Sequence, residues 1–279
     1  MNLVIQSPTP IEAPHLKPLI ALARGKSGGL VDPHTLRVVD ANPGQRPDIG
    51  IYCDTHRLDY AYVEAQSLSA FGLVAMDMDS TLITIECIDE IADYCGLKAE
   101  VAAITEAAMR GEIRDFNESL TRRVALLEGL DASALESVYD ERLRLSPGAE
   151  RMLDGARKAG LKTLLVSGGF TFFTERLKQR LGLDFTRANT LEIVDGKLTG
   201  RVTGEIVNAD VKARTLRETC DTLGISPNRA IAMGDGSNDL KMMAEAGLSV
   251  AFRAKPVVRE AASVAFNHVG LDGLLNLFV

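Results

Sequence analysis

The sequence predicts an α/β protein, with a Rossmann-like parallel-sheet core, a helical cap inserted into that core and a small N-terminal α+β region. Two observations predict the core and a third the insertion. Short apolar runs at Leu73–Met76, Thr163–Val166 and Ala230–Met233 end abruptly in acids, hydroxyls or glycines, as strands buried on both faces do where they open into loops. The second and third runs lead into stretches with helical spacing, the alternation that builds a parallel sheet. Between the first two runs, residues 83–146 lose the strand pattern and repeat their apolar positions at helical intervals.

In chain order, residues 1–70 form the accessory region. Strands are expected at Leu3–Ile5, Leu36–Val39 and Ile49–Cys53 and a helix at His15–Ala23, with loop signals at Gly25–Gly29 and Asn42–Pro47. The core occupies residues 71–279. Its first strand, in GLVAMDMDSTL, delivers Asp77 and Asp79 to its carboxyl end, where ligands bind in open α/β sheets. In the cap, Ile85, Ile88, Ile91 and Ala92 define one amphipathic face, Val101, Ile104, Ala107 and Ala108 a second, and Leu120, Val124 and Leu127 a third. A cap of this kind excludes water and supplies specificity. Back in the core, TLLVSGGF places Ser167, Gly168 and Gly169 at a strand-to-helix junction, where a hydroxyl and free backbone N–H groups can meet a phosphate. NADVKARTL puts Lys212 early in a helix, and AIAMGDGSNDLKMM is a strand, a glycine-rich turn and a helix carrying Asp235 and Asp239. LSVAFRAKP, VVREAASVAF and LDGLLNLF complete the core, and His268 is expected to be structural or exposed.

These parts suit phosphoryl transfer to a carboxylate. Asp77 can attack phosphorus, while Asp79 can protonate the departing oxygen and later activate water. Lys212 can neutralise both the phosphate and the attacking carboxylate, with Asp239 as its partner. Magnesium prefers hard oxygen ligands and keeps part of its water shell, so Asp77, Asp235 and a substrate phosphate meet its needs. Positioning and electrostatics supply most of the catalysis in such reactions. In the cap, Glu86 and Arg123 carry the opposite charges that the ammonium and carboxylate of an amino acid would pair with.

From about residue 72 onward the chain resembles the haloacid dehalogenase superfamily of phosphohydrolases, with all four signature motifs in order. The resemblance implies Asp77 as nucleophile, Asp79 as general acid and base, Ser167 and Lys212 as phosphate binders, and Asp239 at the metal end. It also implies a metal held by Asp77, by the backbone carbonyl of Asp79 and by Asp235, with Mg2+ as cofactor. TLITIECIDEIA, AMRGEIRDFNESLTRRVALL, VSGGF and GDGSNDL are similar to the phosphoserine phosphatase family. By that similarity the substrate is O-phosphoserine, and the reaction is the last step of serine biosynthesis through a phospho-aspartate. Glu86 would pair with its amino group and Arg123 with its carboxylate, Met109 and Phe116 would line the closed pocket, and Gly168 and Asn238 would help hold substrate or phosphate. A phosphotransferase handing the group to an alcohol such as homoserine would use the same residues and is the alternative.

Composition agrees with a small-molecule enzyme. A net charge of −7 and the absence of Trp argue against nucleic acid or an acidic membrane as partner. Neither a secretion signal nor a membrane span is expected, and four cysteines without a paired framework suggest free thiols in a cytoplasmic enzyme. The N-terminal region lacks a recognisable ligand motif. A structural or dimerisation role, with a homodimer as the assembly, is preferred to amino-acid sensing.

Overall fold

The structure is a computed structural model that describes residues 1–279 apart from Gly111, Arg114 and the side chain of Met109. Two sheets organise it. The N-terminal elements are β1 (Asn2–Gln6), α1 (Ala13–Ala23), β2 (Ser27–Asp32), β3 (Thr35–Val39), α2 (Arg46–His56) and β4 (Asp59–Val63). Their strands form an antiparallel sheet in the order β2-β3-β1-β4. Leu3, Ile5, Leu36 and Val38 alternate toward one face, where they pack with Leu19 and Ala23 of α1 and Ile49 and Cys53 of α2.

Two sequence expectations fail here for local reasons. The apolar run Ile49–Cys53, expected as a strand, is the middle of α2: Pro47 opens the helix, and Ile49 and Cys53, one turn apart, are buried on its inner face. Gly28 and Gly29, expected in a loop, belong to β2, an exposed edge strand held by pairing with β3 rather than by side-chain burial.

The second sheet begins with β5 (Leu73–Met76). The cap helices α3 (Cys87–Tyr94), α4 (Lys98–Met109), α5 (Phe116–Ala125) and α6 (Ser133–Ser137) follow, then α7 (Ala149–Lys158) and β6 (Lys162–Phe170). The chain continues through α8 (Thr171–Leu181), β7 (Phe185–Val194), β8 (Lys197–Thr203), α9 (Ala209–Leu223), β9 (Ala230–Gly234), α10 (Leu240–Glu245), β10 (Leu248–Phe252), α11 (Pro256–Ala261) and β11 (Val264–Phe266). The strand order is β11-β10-β9-β5-β6-β7-β8, parallel except for β8. Every residue of β5, β9 and β10 is buried, because helices cover both faces. The chain runs outward from β5 on one side and returns to β9 on the other. The carboxyl ends of β6, β5 and β9 therefore stand side by side at the switch point, spaced by about 5 Å.

The insertion leaves and rejoins the core at one place. Ile83 bridges Leu145, Thr84 N–H reaches Arg144 O at 2.9 Å, and Ser146 N–H reaches Leu82 O at 2.9 Å. Its helices turn Ile88, Ile91, Val101, Leu120 and Val124 inward.

Buried polar contacts tie the two sheets together. Asp59, 2% exposed, accepts backbone N–H groups from Asn267, His268 and Val269 at 2.9, 2.8 and 2.9 Å. Gln6 Nε2 donates to Gly273 O at 3.0 Å, and Arg37 Nη2 to Asn276 O and Phe278 O at 2.8 and 2.6 Å. The last turn of the core is thereby pinned to the accessory sheet. Asp59→Ala strips three backbone donors, buried or partly buried, of their acceptor and should lower the unfolding free energy by about 3 kcal/mol, read by urea titration.

Candidate active site

A cleft of about 770 Å³ lies between the strand ends and the cap. Asp77 follows β5 directly and is 6% exposed. Its Oδ1 accepts the Met78 N–H at 2.7 Å and meets Lys212 Nζ at 2.9 Å. Both contacts fall on one oxygen. Oδ2 makes no hydrogen bond among the described residues and is the atom left to face the cleft that Asp77 lines.

The chain then makes a tight turn over Met78–Leu82, in which Ser80 sits at φ 55°, ψ 1°. A non-glycine residue in the left-handed region costs about 1 kcal/mol, and such strain is typical of functional turns. The turn returns Asp79 to the cleft and lets Ser80 Oγ donate to Glu86 Oε1 at 2.6 Å. Asp79 Oδ1 is fully buried without a hydrogen-bond partner among the described residues. Burial, followed by the charge of Glu86, pushes the Asp79 carboxyl up to about 8. It therefore carries a proton at neutral pH.

Lys212 stands on the first turn of α9, whose N-cap Asn208 accepts the Asp210 and Val211 N–H groups, both at 3.1 Å. The Asn208 amide also donates to Asn117 Oδ1 of the cap at 3.1 Å. Lys212, expected to meet both phosphate and Asp77, is fully buried off the cleft wall, with its ammonium between Asp77 and Asp239 at 2.9 and 2.7 Å. Burial would lower its pKa, but Asp239 and Asp77 together hold it above the ordinary lysine value. Asp239 Oδ2 also accepts the Gly236 N–H at 3.1 Å. A Cβ at Gly234 would stand 2.4 Å from Asp239 Cγ, so only glycine allows this approach.

Asp235, beyond the end of β9, accepts a hydrogen bond from Thr81 Oγ1 at 3.0 Å. Asp77, Asp235 and Asp239 offer oxygens that all lie within 4.8 Å of one another. The carboxyl of Asp79 is not in that group. Burial and the charge of Asp239 push Asp235 up to about 6, and burial followed by Asp239 also raises Asp77 against the pull of Lys212. Three clustered carboxyls face one ammonium, and the raised Asp77 and Asp235 reflect a crowding of negative charge that a cation would relieve. This donor set fits a hard divalent cation.

On β6, Ser167 is 1% exposed and its Oγ accepts the Gly169 N–H at 2.9 Å. That N–H, expected free for a phosphate, is therefore engaged, and the strand runs on to Phe170 before α8 starts. The buried Asn189 donates to Gly168 O and accepts from Val207 N–H, both at 2.8 Å, fixing this turn.

From the cap, Glu86, Phe116 and Arg123 line the same cleft, as do Gly168 and Asn238 from the core. A Cβ on Gly168 would lie 3.0 Å from Phe116 Cζ, which marks the close approach of cap to core. The Met109 side chain lies outside the described residues. Sequence reasoning missed Ser80, Thr81, Asn189 and Asp89, the last of which also lines the cleft. The hydroxyls directly after the two aspartates were a usable signal for Ser80 and Thr81. Asn189 carries no motif and acts only through the backbone it ties.

The fold and site define a class of enzyme. The haloacid dehalogenase-like hydrolase family matches residues 74–244, more than half of the chain, and the protein belongs to that family. Its relatives include the phosphoserine phosphatase of a Polaromonas species, 63% identical over 214 residues that span 75% of this chain and 91% of that protein. Among solved structures, a haloacid dehalogenase family hydrolase from Salmonella enterica serovar Typhi aligns with a TM-score of 0.88 at 34% identity, over 99% of this chain and 97% of that one. A phospho-aspartyl intermediate analogue of phosphoserine phosphatase aligns at 0.70 and 36% identity, over 77% of this chain and 100% of that one. A domain of unknown function, DUF4072, matches residues 3–49.

Proposed function

We propose that this chain hydrolyses O-phosphoserine to serine and phosphate through a phospho-aspartate at Asp77. One observation carries the reading: the unengaged oxygen of Asp77 and the buried carboxyl of Asp79, whose surroundings favour its protonated form, share a cleft with Glu86 and Arg123, an ion-pairing set for an amino acid. Asp77 Oδ2 attacks phosphorus while the P–O bond to serine breaks and Asp79 gives its proton to the departing alkoxide. Asp79, now ionised, takes a proton from water, which attacks the phospho-aspartate and releases phosphate with Asp77 restored. Lys212 keeps Oδ1 of Asp77 fixed and its charge balanced throughout. Glu86 and Arg123 hold the ammonium and carboxylate, Ser167, Gly168 and Asn238 surround the phosphate, and Phe116 closes the pocket.

The cation would be Mg2+, which Asp77, Asp235 and the backbone carbonyl of Asp79 would hold. When bound it supplies positive charge against the phosphate oxygens and the attacking carboxylate. EDTA should abolish phosphate release and added Mg2+ restore it. Independently of activity, Mg2+ should raise the melting temperature in a saturable way, and Asp235→Asn should remove that shift.

A phosphate-release screen over O-phosphoserine, phosphothreonine, phosphoethanolamine and sugar phosphates tests the substrate. O-Phosphoserine should be preferred, and release should be unaffected by added alcohols such as homoserine. Arg123→Ala should cut kcat/KM for O-phosphoserine by about a hundredfold and leave phosphoethanolamine, which lacks the carboxylate, nearly unchanged. An equal loss on both would remove the carboxylate-binding role.

Residues 1–70 form an accessory unit in this reading, 71–279 the catalytic core and about 83–146 its cap. The buried contacts of Asp59 favour a structural role for the accessory unit, with dimer formation as its further use. The four cysteines form no disulfide, which supports a reducing, cytoplasmic setting. No helix among the described residues is long and apolar enough to cross a membrane.

A further inference from the structure

The amino-acid end of the cleft holds one more unmatched acid. Asp89 stands three residues beyond Glu86, so α3 turns both toward the same side, and both line the cleft. Asp89 Oδ1 is fully buried and has no hydrogen-bond partner among the described residues. An acid at this position of a helix commonly folds back to cap the N-terminus, but α3 has no side-chain cap. The helix dipole favours an acid in the first turn, yet it gives no reason to bury one oxygen without a donor. In the same cleft, Arg123 makes no ion pair among the described residues. Its Nε donates to Ser119 O at 3.4 Å, a long bond that leaves the two terminal nitrogens of the fork for a ligand.

The chemistry of an amino-acid substrate supplies what is missing. An ammonium carries three N–H donors, whereas Glu86 already gives part of its acceptor capacity to Ser80 Oγ, which donates to Oε1 at 2.6 Å. One carboxylate shared with a hydroxyl leaves a desolvated ammonium short of acceptors, and the buried Asp89 Oδ1 is a further one in the same cleft. We infer that Asp89 is a second ammonium-binding residue, which holds the substrate amino group together with Glu86 while Arg123 takes the carboxylate. The inference rests on the phosphoserine reading and deepens it, since Asp89 would separate amino acids from hydroxy acids of the same shape. Burial raises the Asp89 pKa and the charge of Arg123 lowers it, so the carboxyl lies within electrostatic reach of that guanidinium.

The test compares Asp89→Asn with the unaltered chain. It uses O-phosphoserine as substrate and, as competing ligand, 3-phosphoglycerate, which has a hydroxyl where the ammonium stands. Asparagine keeps the shape but presents one acceptor oxygen and an amide donor that opposes an ammonium. The variant should lose about tenfold in kcat/KM for O-phosphoserine, mostly through KM, and its inhibition constant for 3-phosphoglycerate should stay within about twofold or improve. A matching loss for both ligands would overturn the inference, because Asp89 would then serve Arg123 or the cap fold. An unchanged KM for O-phosphoserine would overturn it as well. Asp89→Ser offers the same comparison if the asparagine variant does not fold. Failure of the unaltered chain to turn over O-phosphoserine at all would instead sink the substrate reading, so the two failures are told apart.

Discussion

Asp77→Asn will lose phosphate release altogether, with kcat down by at least about four orders of magnitude. The amide is nearly isosteric, and its oxygen can still accept from Met78 N–H and Lys212, the two contacts that fix Oδ1. What disappears is the second carboxylate oxygen, the one atom of Asp77 without a hydrogen bond among the described residues. Without it no covalent phosphoryl-enzyme can form, and the remaining charges can only position an ester. Folding should survive, because the substitution removes one of three crowded carboxylates and leaves Lys212 paired with Asp239 at 2.7 Å. The measurement is phosphate release together with acid-stable trapping of labelled phosphate on the protein. A variant that still incorporates label, or turns over within tenfold of the native rate, would move the nucleophile elsewhere.

Most of this site was legible because its parts sit at strand ends. Asp77, Ser167 and Asp235 come from three apolar runs that the sequence shows plainly, and a parallel sheet must place the ends of such runs along one edge. Lys212 was visible only as a lysine early in a helix; its burial between two carboxylates depends on α9 packing against β6 and α10, which no local pattern encodes. Asn189 was invisible for the same reason, since its two amide contacts reach residues 21 and 18 positions away in sequence. In the accessory unit, the five-residue apolar run of α2 fits a strand and a helix equally well, and the choice was made by packing against the sheet. The glycine pair of β2 hid a strand whose only support is the neighbouring backbone. Local chemistry thus announced the catalytic edge, while tertiary contact decided the rest.

Lys212→Met should be the most destabilising single change, by about 3–5 kcal/mol, as well as inactive. The native ammonium is fully buried and bonded to two carboxylates, so removing it leaves both largely buried with no countercharge. The loss should depend on pH in a defined direction. Burial and the charge of Asp239 already raise the Asp77 carboxyl, and Lys212 opposes them. Without the lysine, the folded-state pKa rises further above its unfolded value of about 4. The folded variant then holds a proton that the unfolded chain has released. Its stability is therefore retained below the unfolded pKa and lost as pH climbs through the raised folded one. Urea titrations in EDTA at pH 5 and pH 8 should show the larger deficit at pH 8. Adding Asp239→Asn to Lys212→Met should recover part of that deficit, since one of the two stranded charges is gone, yet restore no activity. Equal deficits at both pH values, with no recovery in the double variant, would mean that Lys212 contributes packing of its alkyl chain and not charge, and the electrostatic account of how Asp77 is held would fail with it.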